Sequence, residues 1–244
     1  MSVDFNVLLF LKLFLPPLIY MLVLYLTTPI KTLKLPIILL CFLGGILSTS
    51  FVQLYYVLVE FTPTTYFEQY FYGVAPREEI CKLLSFLGIM VAFKKERIHP
   101  VATMAYMGIV GLGFATFENL LYAATYGEYI LLPRAVSATL GHLIFGLFLG
   151  YWMGLGKVDI KKYGSRSLFG FYMYKYKKLK MITYTLVGLL SAIVFHGLWN
   201  YSLSTSWVAA EPIMILMIIF GLTTSKFAFT DLYNHHRKSL KNKS

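Results

Sequence analysis

The chain carries a small set of charged and amide side chains inside long apolar segments, where a lipid bilayer would surround them. They are three carboxylates, an ammonium, two imidazoles and an amide: Glu78, Glu79, Glu118, Lys82, His142, His196 and Asn200. Charged groups inside a bilayer are costly, so such residues are functional candidates by default. We therefore predict that they form a polar site within the membrane.

Two carboxylates and two imidazoles in a partly dry cavity can activate water. A carboxylate accepts the proton and a histidine relays it. An imidazole or amide donor can stabilise an oxyanion, a role that suits His196 and Asn200, one helical turn apart. Glu78, His142 and His196 also provide two imidazoles and a carboxylate, a known catalytic zinc set. No HExxH motif is present, and the residues leave a zinc-dependent and a metal-free mechanism open.

Helical spacing places the candidates on faces that contact other helices. Glu78 precedes Lys82 by four residues, the better orientation for an ion pair on a helix. Glu118, His142 and His196 each share a helical stripe with glycine or alanine residues. Small residues allow the backbones of membrane helices to approach closely. The spacing thus predicts that these side chains face the interior of a bundle rather than lipid.

Each candidate also has a structural explanation when it is taken alone. Glu78 or Glu79 with Lys82 would be a buried ion pair, and His142 or His196 would provide interhelical hydrogen bonds. The occurrence of all of them together favours a functional site.

The segments that position these residues are predicted to be membrane helices. The chain has 244 residues, of which 58% are hydrophobic and 14% charged, and its mean hydropathy is +0.67. Soluble domains are about 45–50% apolar and about 25% charged, which excludes a soluble or disordered chain. Continuous apolar runs disfavour a membrane β-barrel, whose strands alternate. Seven runs are long enough to span a bilayer as helices: 7–26, 35–59, 73–93, 100–126, 131–155, 181–205 and 208–230. We predict an all-α, polytopic membrane helix bundle with about seven transmembrane helices.

The net charge of +11 is explained by membrane topology, so no nucleic-acid partner is needed. Basic residues cluster in alternate loops and in the C-terminal tail, whereas the other loops are acidic and contain Arg134 as their one basic residue. By the positive-inside rule, the N-terminus lies outside and the C-terminus in the cytoplasm. With a rise of about 1.5 Å per residue, Glu78, Glu118, His142 and His196 then all lie within about 15 Å of the outer membrane face.

The sequence shows no composition shift that separates domains. We predict one integral-membrane domain over residues 1–230, with a motif core at 76–200, and a basic cytoplasmic tail over residues 231–244.

The motifs, in this order, resemble those of the PrsW family of intramembrane proteases, part of the wider CAAX-protease and bacteriocin-processing superfamily. An EExxK motif spans 78–82 and a GFAxxEN motif spans 113–119. His142 begins a glycine-spaced helix, and an HxxxN motif runs from His196 to Asn200. Glu118 stands where prenyl proteases have a histidine, and Asn200 replaces an aspartate found in many members.

The resemblance implies an intramembrane endopeptidase of the bacterial plasma membrane. Its expected substrate is a single-span membrane protein such as an anti-sigma factor, cut near the outer membrane boundary in a site-1-type step. The resemblance implies Glu78 as the base, with Glu79, Glu118, His142 and His196 completing the site. Asn200 would help to hold the oxyanion, and Lys82 and Asn119 would play supporting roles.

Two other functions fit the same residues. The first is a prenyl-protein or bacteriocin-leader peptidase of the same superfamily, which would require a site that opens toward the cytoplasm. The second is a non-enzymatic proton-coupled transporter or immunity membrane protein. Transporters often show internal repeats and broken helices at the midplane, and the sequence shows neither.

Overall fold

The described residues are mostly helical; they are 7–28, 33–94, 96, 98–158, 177–204 and 210–241 of a computed structural model. No strand occurs in these ranges, and the predicted all-α membrane bundle is confirmed. The α-helices of more than one turn are α1 Val7–Thr27, α2 Leu35–Leu58, α3 Ala75–Ala92, α4 Pro100–Tyr126, α5 Leu131–Val136, α6 Ala138–Lys157, α7 Lys177–Ser204 and α8 Ala210–Lys241.

Six segments of the described chain are long and apolar enough to cross a membrane. They are Val7–Thr27, Leu35–Leu58, Pro100–Tyr126, Glu128–Lys157, Lys178–Ser204 and Ile215–Asn234. Each of them overlaps one of the predicted runs. The remaining run, 73–93, contains α3, an 18-residue helix that is less apolar because charged residues occupy one of its faces.

Helix α3 is amphipathic, and this determines how it packs. Ile80, Leu84 and Val91 are exposed on one face, where lipid would cover them. Glu79 and Lys82 are fully buried on the other face. The bundle interior is thus the polar side of this helix, the reverse of a helix in a soluble protein.

Helix α4 forms the centre of the bundle. Every residue from Pro100 to Thr116 is buried, and α2 and α6 pack along it. These contacts depend on glycine, because a Cβ atom on Gly113 would collide with the carbonyl oxygen of Phe42 in α2. A Cβ atom on Gly111 would collide with the carbonyl oxygen of His142 in α6. The small residues of α4 therefore face neighbouring helices, as their spacing predicted, and His142 lies directly against α4.

A π-helix leads directly into α3. The chain makes one turn of α-helix, Tyr66–Glu68, and then the π-helix Gln69–Val74. This segment is fastened to α7, because the hydroxyls of Tyr70 and Ser204 share a hydrogen bond of 2.5 Å. Single π-helical turns often occur at functional sites, and this one determines where the charged face of α3 begins.

The predicted run 131–155 is interrupted at Ser137, which separates α5 from α6. The backbone N–H and the hydroxyl of Ser137 both donate to the carbonyl oxygen of Pro133, at 2.9 and 2.8 Å. Hydroxyl bonds of this kind compete with the helical ladder and bend helices. The chain enters this region through Gly127, whose φ of +96° suits glycine. These two features set α5 beside the C-terminal part of α4.

Two other segments differ from their predicted bounds. Helix α7 begins at Lys177, and α8 continues to Lys241, so much of the predicted cytoplasmic tail is a helical extension of the last span. The basic loop that the sequence places between the runs 131–155 and 181–205 lies mostly outside the described residues. The division into residues 1–230 and 231–244 stays a prediction.

Candidate active site

The predicted site residues converge on one cavity of about 830 Å³, between α2, α3, α4, α6 and α7. The candidates that line the cavity are Glu78, Glu118, His142, His196 and Asn200. The other three do not line the cavity but bond to residues that do: Glu79 to His196, Lys82 to His142 and Asn119 to Arg134. The structure thus brings together every candidate from four different helices.

Lys82 is the centre of the buried network. Its Nζ atom is fully buried and donates to Glu79 Oε1 at 2.7 Å and to His142 Nδ1 at 2.8 Å. The ammonium also lies 4.1 Å from the centre of the Phe114 ring, a favourable cation–π arrangement. The predicted pairing with Glu78 is present as a longer contact of 3.8 Å. The closest acidic partner of Lys82 is therefore Glu79, at three residues' spacing.

His196 is oriented by the same glutamate. Its Nδ1 atom lies 2.8 Å from Glu79 Oε1, and an ionised carboxylate only accepts hydrogen bonds. Nδ1 therefore carries the proton. In the neutral ring the lone pair is on Nε2, which lies 3.7 Å from Glu78 Oε2.

His142 has the opposite tautomer. The Lys82 ammonium only donates, so Nδ1 of His142 accepts and the ring proton is on Nε2. That N–H donates to Glu118 Oε2 at 3.1 Å. The two imidazoles lie edge to face, with ring centres 5.1 Å apart.

Arg134 completes the site, and the sequence analysis did not include it among the candidates. Its Nη2 donates to Glu118 Oε2 at 2.5 Å and its Nε to Asn119 Oδ1 at 2.6 Å. Its guanidinium lies 3.6 Å from the centre of the Tyr122 ring. The sequence held one signal for this residue: Arg134 is the one basic residue in the loops assigned to the outside.

The charges around the cavity single out Glu78. Among the described residues at this site, Glu79 is paired with Lys82 and Glu118 with Arg134. Glu78 is the third carboxylate, and the buried Oε2 atoms of Glu78 and Glu79 both lack a hydrogen-bond partner. Buried polar atoms are almost always satisfied. Glu78 lines the cavity and Glu79 does not, so the Glu78 oxygen is the one best placed to act on a water molecule, a substrate or a metal ion.

Glu78, His142 and His196 also fit a metal ion of the zinc type. Each offers one ligand atom, and these atoms lie within 4.8 Å of one another. Ligand atoms bound tetrahedrally to zinc lie about 3.3–3.5 Å apart, so a modest contraction brings them into place. The bond from His196 Nδ1 to Glu79 is the carboxylate–histidine arrangement that orients many zinc ligands. Both nitrogens of His142 are engaged, because Nδ1 accepts from Lys82 and Nε2–H donates to Glu118. To bind a cation, His142 would have to give up the Lys82 bond at Nδ1, or move its proton to Nδ1 and give up both bonds.

The fold and the site define the class of this protein: a helical membrane protein with acids and histidines clustered around an internal cavity. A family model described as "PrsW family intramembrane metalloprotease" matches residues 33–224. The chain belongs to the PrsW family, and it is an intramembrane peptidase integral to the membrane. The resemblance inferred from the motifs is thereby confirmed, and the transporter and immunity-protein alternatives are not supported.

Curated relatives agree with the family match. The chain is 31% identical over 187 residues to Protease PrsW of Oceanobacillus iheyensis, covering 75% of this chain and 77% of that protein. It is 31% identical over 123 residues to Protease PrsW of Shouchella clausii, about half of each chain. Protease PrsW of Bacillus subtilis is 27% identical over 128 residues. No solved structure matches the chain.

Proposed function

We propose that the chain hydrolyses a peptide bond of a single-span membrane protein, and that water is activated between Glu78, His142 and His196. The main support for this proposal is a pair of hydrogen-bond acceptor atoms that lie close together in the lining of the cavity. Glu78 Oε2 and His196 Nε2 are 3.7 Å apart, and both are acceptors. A water molecule or a cation between them satisfies both atoms at once.

Glu78 acts as the general base in this mechanism. The water oxygen attacks the scissile carbonyl carbon as one water proton passes to the Glu78 carboxylate. The same carboxyl group then gives that proton to the leaving nitrogen as the C–N bond breaks. The products are a new carboxyl group and a new amine, so atoms and protons balance.

The surrounding residues hold this geometry and stabilise developing charge. Glu79 orients His196 and neutralises Lys82, which in turn fixes His142. Asn200 lines the same cavity one helical turn after His196. Its amide is a donor for the oxyanion that forms on the carbonyl oxygen. If Glu78, His142 and His196 held a zinc-type ion instead, Glu78 would serve as a ligand, and the ion would supply the activation of the water and polarise the scissile carbonyl.

We place the cavity near the outer face of a bacterial plasma membrane, with the N-terminus outside and the C-terminus in the cytoplasm. The distribution of basic loops supports this orientation. Tyrosines also line the outer end of the cavity, including Tyr56, Tyr122 and Tyr126, as is typical of the membrane–water interface. A single-span anti-sigma factor that crosses the bilayer beside this cavity is the kind of substrate that we propose.

The first prediction is that the purified protein, reconstituted in liposomes, cleaves single-span substrates near their outer membrane boundary. The cleavage position is read by mass spectrometry with substrates of known orientation. His196→Ala is expected to lose activity, because the partner of Glu78 across the reaction site is removed. Glu60→Gln, at an exposed loop residue, serves as the control and is expected to cleave normally.

Two results would contradict this proposal. Equal cleavage by the wild type and His196→Ala would show that the reaction does not depend on His196. A cut near the cytoplasmic boundary would instead favour the prenyl-protein or bacteriocin-leader peptidase.

The second prediction concerns the metal. We expect about one equivalent of zinc in protein purified without chelator, measured by elemental analysis. The zinc content of the His196→Ala and Glu78→Gln proteins should fall to a small fraction of the wild-type value, because each substitution removes a ligand. Chelation should stop cleavage and added zinc should restore it. Full activity in protein that holds less than about a tenth of an equivalent of zinc would show that cleavage needs no metal. Glu78 would then act as the base without a metal ion.

A further inference from the structure

We propose that Arg134 is a positioning residue of this active site, an inference that rests on the proposed peptidase function. Arg134 holds the Glu118 carboxylate where it accepts the Nε2–H bond of His142. It thereby helps to fix the position of that histidine, whose tautomer Lys82 sets from the other ring nitrogen. The guanidinium acts through Glu118 and does not itself contact the reacting water.

The contacts of Arg134 are directional. Two of its nitrogens bond to side chains of consecutive residues in α4, Nη2 to Glu118 and Nε to Asn119. The rigid plane of the guanidinium fixes these two directions together. The Arg134 and Glu118 side chains are only 14% and 16% exposed, so solvent screens their attraction less than at a surface.

The guanidinium is itself held on two further sides. Asn119 accepts from Arg134 and donates from Nδ2 to Thr139 Oγ1 at 2.9 Å, which connects α4 and α5 to α6. The Tyr122 ring covers one face of the guanidinium. This arrangement holds Arg134 in one position relative to α4. A residue that only neutralised the charge of Glu118 would not need such a fixed position.

The link to catalysis runs through one oxygen atom. Glu118 Oε2 accepts from Arg134 Nη2 and from His142 Nε2 at the same time. Without Arg134 the carboxylate loses its cation and is free to rotate away from His142. The imidazole is then held only by Lys82, on its other nitrogen. The ring that borders the reaction site then loses one of the two hydrogen bonds that fix its position.

Kinetics of the reconstituted protein test this inference. Arg134→Gln should lower kcat about 10- to 100-fold, the usual effect of losing a residue that orients a catalytic histidine, with KM changed less than about threefold. Arg134→Lys should be intermediate, because a point charge keeps one bond but not both directions. Lys12→Gln removes a partly buried ion pair with Glu128 outside the cavity and should leave kcat unchanged.

A double substitution separates positioning from general stability. In a Glu118→Gln background, adding Arg134→Gln should lower kcat less than about threefold further, because the two residues act as one unit. A merely structural arginine would cause the same loss in both backgrounds.

The ¹⁵N NMR spectrum of labelled His142 gives a readout without substrate. In metal-free protein, we expect the Nε2–H resonance of the wild type to show the hydrogen bond to Glu118, and we expect that resonance to shift in Arg134→Gln because this bond is weakened. An unchanged Nε2–H resonance in Arg134→Gln together with kcat within about twofold of the wild type would overturn the role of Arg134 and leave the peptidase function intact. Absence of cleavage by the wild-type protein would overturn both.

Discussion

Glu78→Gln is expected to abolish peptide-bond cleavage in a protein that still folds. Glutamine has nearly the shape of glutamate, but it neither accepts the proton of the attacking water nor supplies negative charge to a cation. The loss of a general base lowers rates about 10²- to 10⁴-fold, so kcat should fall by at least about 10²-fold. The measurement is single-turnover cleavage in liposomes.

Folding should survive because Glu78 contributes few strong contacts. Its side chain lies 3.8 Å from Lys82 Nζ and 3.7 Å from His196 Nε2, and its Oε2 makes no hydrogen bond. The substitution therefore breaks no short bond, and the unfolding temperature in detergent should stay close to that of the wild type. Glu60→Gln makes the same chemical change on an exposed loop and should cleave at the wild-type rate. A Glu78→Gln protein that cleaves within about fivefold of the wild type would exclude Glu78 as the base.

Lys82→Met is expected to have the largest effect on stability. The ammonium is fully buried between Glu79 and His142, and methionine keeps much of its length but not its charge. The change leaves the Glu79 carboxylate buried without its cation, which costs about 3–5 kcal/mol when one partner of a buried pair is removed. We expect a correspondingly lower unfolding midpoint in detergent, measured by circular dichroism or intrinsic fluorescence.

A second substitution tests the cause of that loss. Glu79→Gln in the Lys82→Met background removes the unpaired charge and should recover part of the lost stability. Lys226→Met changes an exposed lysine on α8 and should leave the midpoint unchanged. If Lys82→Met unfolds at the wild-type midpoint, the buried pair does not stabilise the bundle.

Much of the site could be predicted because its residues are polar or charged and lie within apolar runs of the sequence. Glu118 and His142 stand out in apolar runs, since a bilayer tolerates such groups only for a reason. The spacing of Gly111 and Gly146 similarly predicts close helix contacts, which the structure contains. The role of each residue in catalysis, and the need for metal, stay predictions for the experiments above.

Two details of the site depended on contacts that the sequence does not encode locally. The four-residue spacing favoured Glu78 as the partner of Lys82, yet Lys82 Nζ lies closer to Glu79, at 2.7 Å. The reason is that His142, from α6, accepts from the same ammonium, so the position of Nζ follows from two helices rather than one. Arg134 was similarly assigned to an outer loop, and the helix break at Ser137 places it against α4.

The sequence by itself determined the membrane bundle, its apolar helices and the chemistry available inside them. These properties follow from composition and from the local period of the helix, about 3.6 residues per turn. Only the tertiary structure decided which carboxylate lines the cavity without a short ion pair and which histidine nitrogen faces it. Those outcomes depend on how closely α3, α4, α6 and α7 pack, because side chains of opposite charge compete for partners across helices. Glu78 is left facing His196 since Lys82 and Arg134 are held by the other two glutamates.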